Sequence, residues 1–445
     1  VASASLRQLS LEDLMRIEVS TVSRKSEAWW TSPGANDVVT DDDIRRSGAL
    51  NLPDALRLAA GVHVGQANAR EWAIAVRGFN VNAGNKLNVQ LDGRSLFTPF
   101  FSGVLWDAQD TLMEDIAKIE VMRGPAGALW GSYAVNGFIQ ILTKPAWETQ
   151  GWLASAGAGT DQPGFVSFRY GGKFTDATHY RVYAKYAQFD WSYTPGGGPR
   201  AAPTTDFAQV GFRTDTRAAD GSTFSLHGDT YTNKGSPKDH PQNEISGANL
   251  TANWEKPLAF DSDLRAVVYY DTTAKSFVDP FDEKRHTVSG SLKYHLVRDR
   301  HDIQVGADAQ VSWDRIVGGA IFLDPAERTF RSTSVYLQDS IALVPQRWSL
   351  ILGAQALHTN FSGIDVQPTL RLAWTPSRRT TLWGAVSRAV RTPVRLDQDL
   401  VADFGTVRAF EANEDVKSES VLALEIGWRR KFGERLAVTV ATFVN

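Results

Sequence analysis

From residue 149 onward, apolar and polar residues alternate one for one in run after run. Val288, Gly290, Leu292, Tyr294 and Leu296 fall on one side of such a run, with Ser289, Ser291, Lys293 and His295 on the other. Leu370, Leu372 and Trp374 oppose Thr369, Arg371 and Ala373 in the same way, and Leu422, Leu424, Ile426 and Trp428 oppose Glu425 and Arg429. Successive side chains of a strand point to opposite faces, so this period describes strands with one apolar and one wet face. The pattern predicts about fifteen of them. The connections are alternately short, at 175–178, 218–222, 344–347 and 376–379, and long, at 190–206, 234–243, 276–284, 315–329 and 390–419. Short turns at one end and long loops at the other is the asymmetry of transmembrane β-barrels. A propeller would instead repeat about every forty residues, and no such repeat is present. An odd count leaves the last run, 436–444, without a partner. Lipid does not tolerate an unpaired edge, so the chain is expected to hold only part of a barrel.

The preceding residues follow a different rule. Thr40 stands before Asp41, Asp42 and Asp43, a threonine cap followed by carboxylates where a helix N-terminus favours them, and Gly48 marks the stop. A second helix starts near Asn51, with Pro53 in its first turn and Gly61 beyond its end; Leu52, Ala55, Leu56 and Ala59 form its apolar stripe. Short strands are expected at 73–77, 87–91, 119–123 and 138–143, and Asp92-Gly93 signals a tight turn after the second. Residues 26–148 therefore read as a small α/β domain, preceded by a segment, 1–25, in which Leu11, Leu14 and Met15 have the spacing of a short amphipathic helix. Residues 149–445 form the β-only body.

Charge and composition narrow the function. The formal net charge of −3 gives no basic face for nucleic acid. Without cysteine there is neither a disulfide framework nor a thiolate metal site. No run of 18 apolar residues occurs, so no transmembrane helix is expected; barrel strands escape such a scan. The 14 Trp, 22 Phe and 11 Tyr fit interfacial girdles or a soluble β core, and both readings stand. Catalytic signatures fail. Gly157-Ala-Gly159 opens a dinucleotide pattern, but Gln162 occupies the third glycine position; the glycines of 124–131 lack the Lys-Ser/Thr of a phosphate loop, and the eight His show no zinc spacing. Neither an enzyme, a resident metal nor a cofactor is expected.

The motifs themselves carry a resemblance. IEVMRGP at 119–125, LWG at 129–131, AVNG at 134–137 and IQILTK at 139–144 follow LPDAL at 52–56, Gly61-Val62, VRG at 76–78 and LDGR at 91–94. SRAVRTP at 387–393, KSE at 417–419 and LEIG at 424–427 come later. In this order they resemble the TonB-dependent outer-membrane receptors over nearly the whole chain, with Phe138 and Gln140 where Val and Asn are commoner. The resemblance implies a small α/β plug domain inside a transmembrane antiparallel β-barrel, of about 22 strands in that family. It also implies an outer-membrane location in a Gram-negative bacterium, contact with outer-membrane lipid, and energy supplied by TonB from the inner membrane.

Site residues follow by position. Glu18, Val19, Ser20, Thr21, Val22 and Ser23 resemble a TonB box, a β-branched run able to add a strand to a partner's sheet edge; continuation of local structure is the alternative. Arg77 and Arg123, at strand ends, are expected to pair with acidic barrel residues. Plug segments 66–72 and 94–106 are expected to face outward, offering Gln66, Asn68, Arg70, Trp72, Arg94, Phe97, Phe100, Phe101 and Trp106 to a ligand. The aromatics there either stack on a flat ligand or seal the plug against the wall, and the arginines suit an anionic ferric chelate. Residues 234–244, with Asp239, His240, Asn243 and Glu244, could bind a cation or form a solvated loop. The implied function is import of a scarce nutrient, a ferric siderophore first, with cobalamin, other metal chelates, oligosaccharides or aromatic compounds behind it. A passive porin or adhesin barrel, or a soluble β-rich binding protein, is the rival.

Overall fold

The computed structural model describes residues 18–445 apart from 26, 67–68, 79, 82–85, 161, 191–204, 236–243, 277–280, 406–407 and 434–435. The helix expected around Leu11, the ligand candidate Asn68 and most of the loop with Asp239, His240 and Asn243 lie outside these residues.

The alternating region forms one antiparallel sheet of 15 strands, from Gly151–Gly157 to Leu436–Val444, each strand bonded to its neighbours in chain order. Among the described residues the first and last strands have one partner each. The strands run longer than the pattern suggested at the long-loop end. His301–Gly318 and Glu327–Val344 take residues expected in the loop 315–329, and Phe281–Arg298 starts within the loop expected at 276–284. Cross-strand bonding continues there without apolar alternation, which is why the pattern missed it.

The sheet is inside out relative to a soluble core. Leu292 is 50 % exposed and Val335 59 %, whereas Gln304 and Arg429, on the opposite face, are fully buried. An apolar outer face over a polar lumen is what lipid contact selects. Rings gather near both rims. Trp348 stacks on Trp374 at 5.4 Å and Phe174 on Tyr180 at 4.4 Å near the short turns, while Tyr270, His286 and Trp313 stack in sequence towards the long loops.

The polar lumen is filled by the plug. Its mixed sheet has the strand order Ala35–Thr40, Ile116–Arg123, Gly137–Thr143, Leu87–Leu91, Arg94–Ser95. Asp92 and Gly93 both take positive φ, 48° and 91°, as a tight hairpin turn requires. The helix Asp41–Ser47 carries the expected cap as a complete capping box, with the Asp43 carboxylate returning to the Thr40 backbone, and ends at Gly48 with φ 73°. Leu52–Leu56 is shorter than its stripe, yet Leu52, Ala55, Leu56 and Ala59 are all buried. Both helices cover one face of the sheet, packing on Val89, Ile119, Val121, Ile139 and Ile141. The other face carries Gln90, Gln140 and Glu120 in cross-strand register. That polar face turns towards the barrel wall.

Candidate functional site

Plug and wall meet through charge. Four plug carboxylates are held by wall cations: Asp92 by Arg213 at 3.2 Å, Asp107 by Lys275 at 2.6 Å, Asp110 by Lys185 at 3.0 Å, and Asp115 by Arg181 at 3.1 Å together with Arg169. Three pairs have the reverse polarity, Arg77 with Glu425 at 2.6 Å, Arg94 with Asp271 at 2.8 Å, and Lys86 with Glu419. Wall arginines also grip the plug backbone. Arg429 donates to the carbonyls of Trp29, Trp30, Ser32 and Gly34, and Arg371 to those of Pro33 and Pro125. Guanidinium forks suit such convergent acceptors better than a lysine point charge.

Gly124 and Gly127 let this contact close. Gly124 has φ +111°, and a Cβ there would lie 2.5 Å from Glu425 Oε1 and 2.7 Å from Arg77 Nη1; at Gly127 it would lie 2.1 Å from Gln367 Oε1. The RGP glycine is required by close approach to the Arg77–Glu425 pair. The expectation for Arg123 needs correction. Its side chain folds over Gly61 and donates to the Ala35 carbonyl at 3.4 Å, inside the plug, and no barrel carboxylate among the described residues is paired with it. Asp37, in the plug beside it, supplies the local counter-charge; burial raises the Asp37 carboxyl above its ordinary value despite that arginine.

The segment 18–25 is folded, not free. Glu18–Val19 pairs with Glu27–Ala28, residues 21–25 turn back, and Val19, Thr21, Val22 and Ser23 are buried. The buried Glu120 carboxylate accepts the backbone N–H of Ser20 at 2.7 Å and of Thr21 at 3.1 Å, and Trp130 donates to the Thr21 carbonyl at 2.6 Å. Val22 packs with Met122, Ala126 and Ile351. Lys25 bridges to Asp302 at 2.6 Å, beside a short turn, so the segment enters at the short-turn end. The expected extended edge is therefore occupied, because its amides and branched side chains find partners within the lumen.

The residues expected to face a ligand do not converge. Gln66 is exposed, but Arg70 is buried, 3.7 Å from Asp110 and over the rings of Phe207 and Phe189. Trp72 and Trp106 belong to the plug core. Arg94 is buried in its pair with Asp271. Phe100 meets Phe281 edge-on at 5.3 Å, with Phe101 packed beside it, and Phe97 stacks on Tyr133 at 3.9 Å. A cover over this apex explains the burial. The helix Arg395–Gln398 donates its first amides to the Pro99 and Phe100 carbonyls, each at 3.0 Å, and is tied to the wall by Arg395 with Asp314 and by Asp399, which follows the helix, with Arg328. Strands Ile321–Leu323, Leu400–Asp403 and Arg408–Glu411 form a small sheet beyond it.

An outward apolar wall, a charge-locked lumen domain and a folded N-terminal segment together match one kind of protein, and the comparisons agree. Residues 30–138 match the TonB-dependent Receptor Plug Domain, and residues 146–445 the TonB dependent receptor-like beta-barrel. The chain belongs to the TonB-dependent receptor family. The vitamin B12 transporter BtuB of Vibrio vulnificus (strain CMCP6) is 31% identical over 132 residues, 28% of this chain and 20% of that protein. That of Vibrio cholerae (strain M66-2) is 32% identical over 126 residues, again 28% and 20%. The aligned part thus spans a fifth of these relatives' length. Among solved structures, a mutant ferric enterobactin receptor PfeA of Pseudomonas aeruginosa, in complex with enterobactin, superposes with a TM-score of 0.73 at 17% identity, covering 92% of this chain and 71% of that one. The siderophore receptor PirA of Acinetobacter baumannii gives 0.75 at 17%, covering 92% and 70%. At such identities these structures show the fold.

Within this TonB-dependent receptor, Arg77 meets a barrel carboxylate as its position suggests, but the wall residues that hold the plug are not singled out by the sequence. Arg371, Glu425 and Arg429 fall on the wet face of their alternating runs, and that is the available signal: a charge on the lumen side needs a partner there. The plug acids gave less warning. Burial alone would raise the Asp92 carboxyl, but Arg213, His227 and the donors of Thr143 outweigh it and hold the group below its ordinary value.

Proposed function

We propose that this protein is an outer-membrane importer that binds a scarce, bulky nutrient at its long-loop end, facing the exterior, and releases it to the periplasm with energy drawn from TonB. The observation that carries the reading is the placement of residues 18–23. They lie at the short-turn end, anchored to the plug sheet through Glu120, where a periplasmic partner that pulled on them would pull on the plug. A passive porin has no use for such a device. The inverted sheet and the family support the outer-membrane location.

A ferric siderophore is the cargo we favour, since the structural relatives named above are siderophore receptors over more than nine tenths of this chain. Cobalamin is the second reading, on the strength of the BtuB relatives. Gln66 and Phe101, with the loop 392–418, supply first contacts for the ligand, while Arg70, Trp72, Arg94, Phe100 and Trp106 form the foundation beneath. The test is uptake by cells carrying the full-length receptor, offered ferric siderophores and cobalamin in turn. Val19→Pro or Val22→Pro should abolish energised uptake and leave ligand binding intact, because proline removes an amide that strand addition needs. Uptake that survives both substitutions, or dissipation of the proton gradient, would return the protein to the porin class.

A further inference from the structure

One seam in the barrel wall is left unzipped. The strands Gly363–Ser377 and Thr380–Arg391 are in register from Trp374–Leu382 up to Thr369–Ser387, and among the described residues their pairing stops there. Each strand then goes on without the other. Residues 363–368 stay paired with Trp348–Thr359 on their other side, and 388–391 with Glu419–Phe432. The sequence supplies the cause. The register, carried on, would set Pro368 opposite Arg388, and proline has no N–H to give to a neighbouring strand. Val366 and Val390 would form the next pair of the same kind.

Substitutes satisfy the groups of that missing rung. The Arg388 guanidinium donates to the Val366 carbonyl. The Val390 N–H donates to the Gln367 side-chain oxygen at 2.9 Å, and the Val390 carbonyl accepts the backbone N–H of Tyr133 at 3.0 Å. A plug amide thus completes the ladder of the wall. Gly127 backs the seam from within, where a Cβ would lie 3.1 Å from Ala389 Cβ. Tyr133 is held by its hydroxyl, 2.5 Å from that of Thr392, and by its ring, stacked on Phe97 at 3.9 Å. It is also strained. Its φ of +76° is rare for a bulky side chain, and such strain collects at switching positions. Shortly past Thr392 begins the helix Arg395–Gln398, whose first amides rest on Pro99 and Phe100. The strand top and the cover are bonded to the plug where the strand beside them lets go.

We propose that this seam is a two-position clasp that couples the plug to the cover at the long-loop end. In the position seen here Tyr133 fills the gap and keeps 388–398 on the plug. In the other, Tyr133 leaves, Gln367 and Arg388 let go, and Val366 pairs with Val390. The wall then zips up and draws the cover off Pro99 and Phe100. Both sets of bonds satisfy the same backbone groups, so a small bias on either plug or cover selects between them. Such coupling is reciprocal: what moves the cover also loosens Tyr133. The clasp belongs to the wall and stands whether or not the import reading does.

The absence of cysteine allows a direct test in the full-length receptor. Val366→Cys with Val390→Cys reports the zipped seam, because a disulfide forms only between closely opposed residues. Leu370→Cys with Val386→Cys, on the same strands where they are paired, is the reference. Under a mild oxidant the seam pair should close about tenfold or more slowly than the reference in an otherwise unaltered chain. Tyr133→Ala keeps the strained backbone but loses the Thr392 bond and the Phe97 stack. It should speed seam closure about tenfold and leave the reference unchanged. A membrane-impermeant maleimide applied to intact cells should then reach Phe101→Cys, in a chain without the pair, faster by a similar factor. Gln367→Ala, which frees the Val390 amide, should act in the same direction and serves where Tyr133→Ala fails to assemble. Seam closure as fast as the reference without these substitutions, no acceleration by either of them, or faster closure without faster labelling at 101 would overturn the proposal. Equal acceleration of the reference pair would overturn it too, as a sign of general loosening. No cargo and no TonB enter the measurement, so its failure leaves import standing, and failure of energised uptake leaves the clasp standing.

Discussion

Glu425→Ala is expected to loosen the plug more than any other single substitution in the wall. Glu425 is 2.6 Å from Arg77 and 3.8 Å from Arg371, and all three side chains are nearly excluded from solvent. Removing the carboxylate leaves two guanidinium groups facing each other, both nearly excluded from solvent. Breaking a buried pair in this way costs about 3–5 kcal/mol, most of it the penalty of the stranded charge. Arg77→Ala should cost less, because Glu425 keeps Arg371. The double substitution should be milder than the sum of the two singles, since it removes both halves of the pair. The denaturant midpoint of plug unfolding, followed by tryptophan fluorescence, reads this directly. A Glu425→Ala protein within about 1 kcal/mol of the parent would show that the pair is ornamental.

The second large effect is expected at Glu120. Its carboxylate accepts two backbone amides and the Ser20 hydroxyl, so it holds residues 18–25 against the plug sheet. Hydrogen bonds to a charged group contribute about 1.5–3 kcal/mol each. Even one such bond lost outright is worth roughly ten- to a hundredfold, so Glu120→Ala should raise the released fraction of the segment by at least that factor. Trypsin reports it, because Arg24 and Lys25 are both engaged in the folded state, Arg24 over the rings of Trp130 and Tyr336 and Lys25 on Asp302. Cleavage after these residues should accelerate in Glu120→Ala and less so in Glu120→Gln, which keeps one acceptor oxygen. An unchanged cleavage rate would mean that the segment is held by its other contacts, those of Val22, Arg24, Lys25 and Trp130 among them.

Much of the fold was legible because lipid imposes a simple rule. Val288, Leu292 and Tyr294 alternate with lumen-facing residues for no reason other than the medium on each side, and the strand follows from that alone. The capping box at Thr40 and Asp43 was equally local. What escaped the sequence was set by partners far along the chain. Arg123 and Arg77 look alike, at similar strand ends, yet the wall carboxylate stands in front of only one of them. Phe100, Trp106 and Arg70 have the composition of a ligand face, but the helix Arg395–Gln398 folds down over that apex, and nothing local to residues 94–106 announces it. The candidate box reads as an extended strand because its β-branched residues prefer one. Its burial depends on Glu120, a hundred residues away.

The central claim is that the wall has an apolar outer face against lipid and a polar inner face around the plug. Single cysteines carried through the strand Phe281–Arg298, spin-labelled in bilayers, test it most directly. Labels at positions 288, 292 and 294 should be accessible to oxygen, and those at 287, 289 and 291 shielded from it. Oxygen access in the opposite phase, or without alternation, would contradict the whole arrangement.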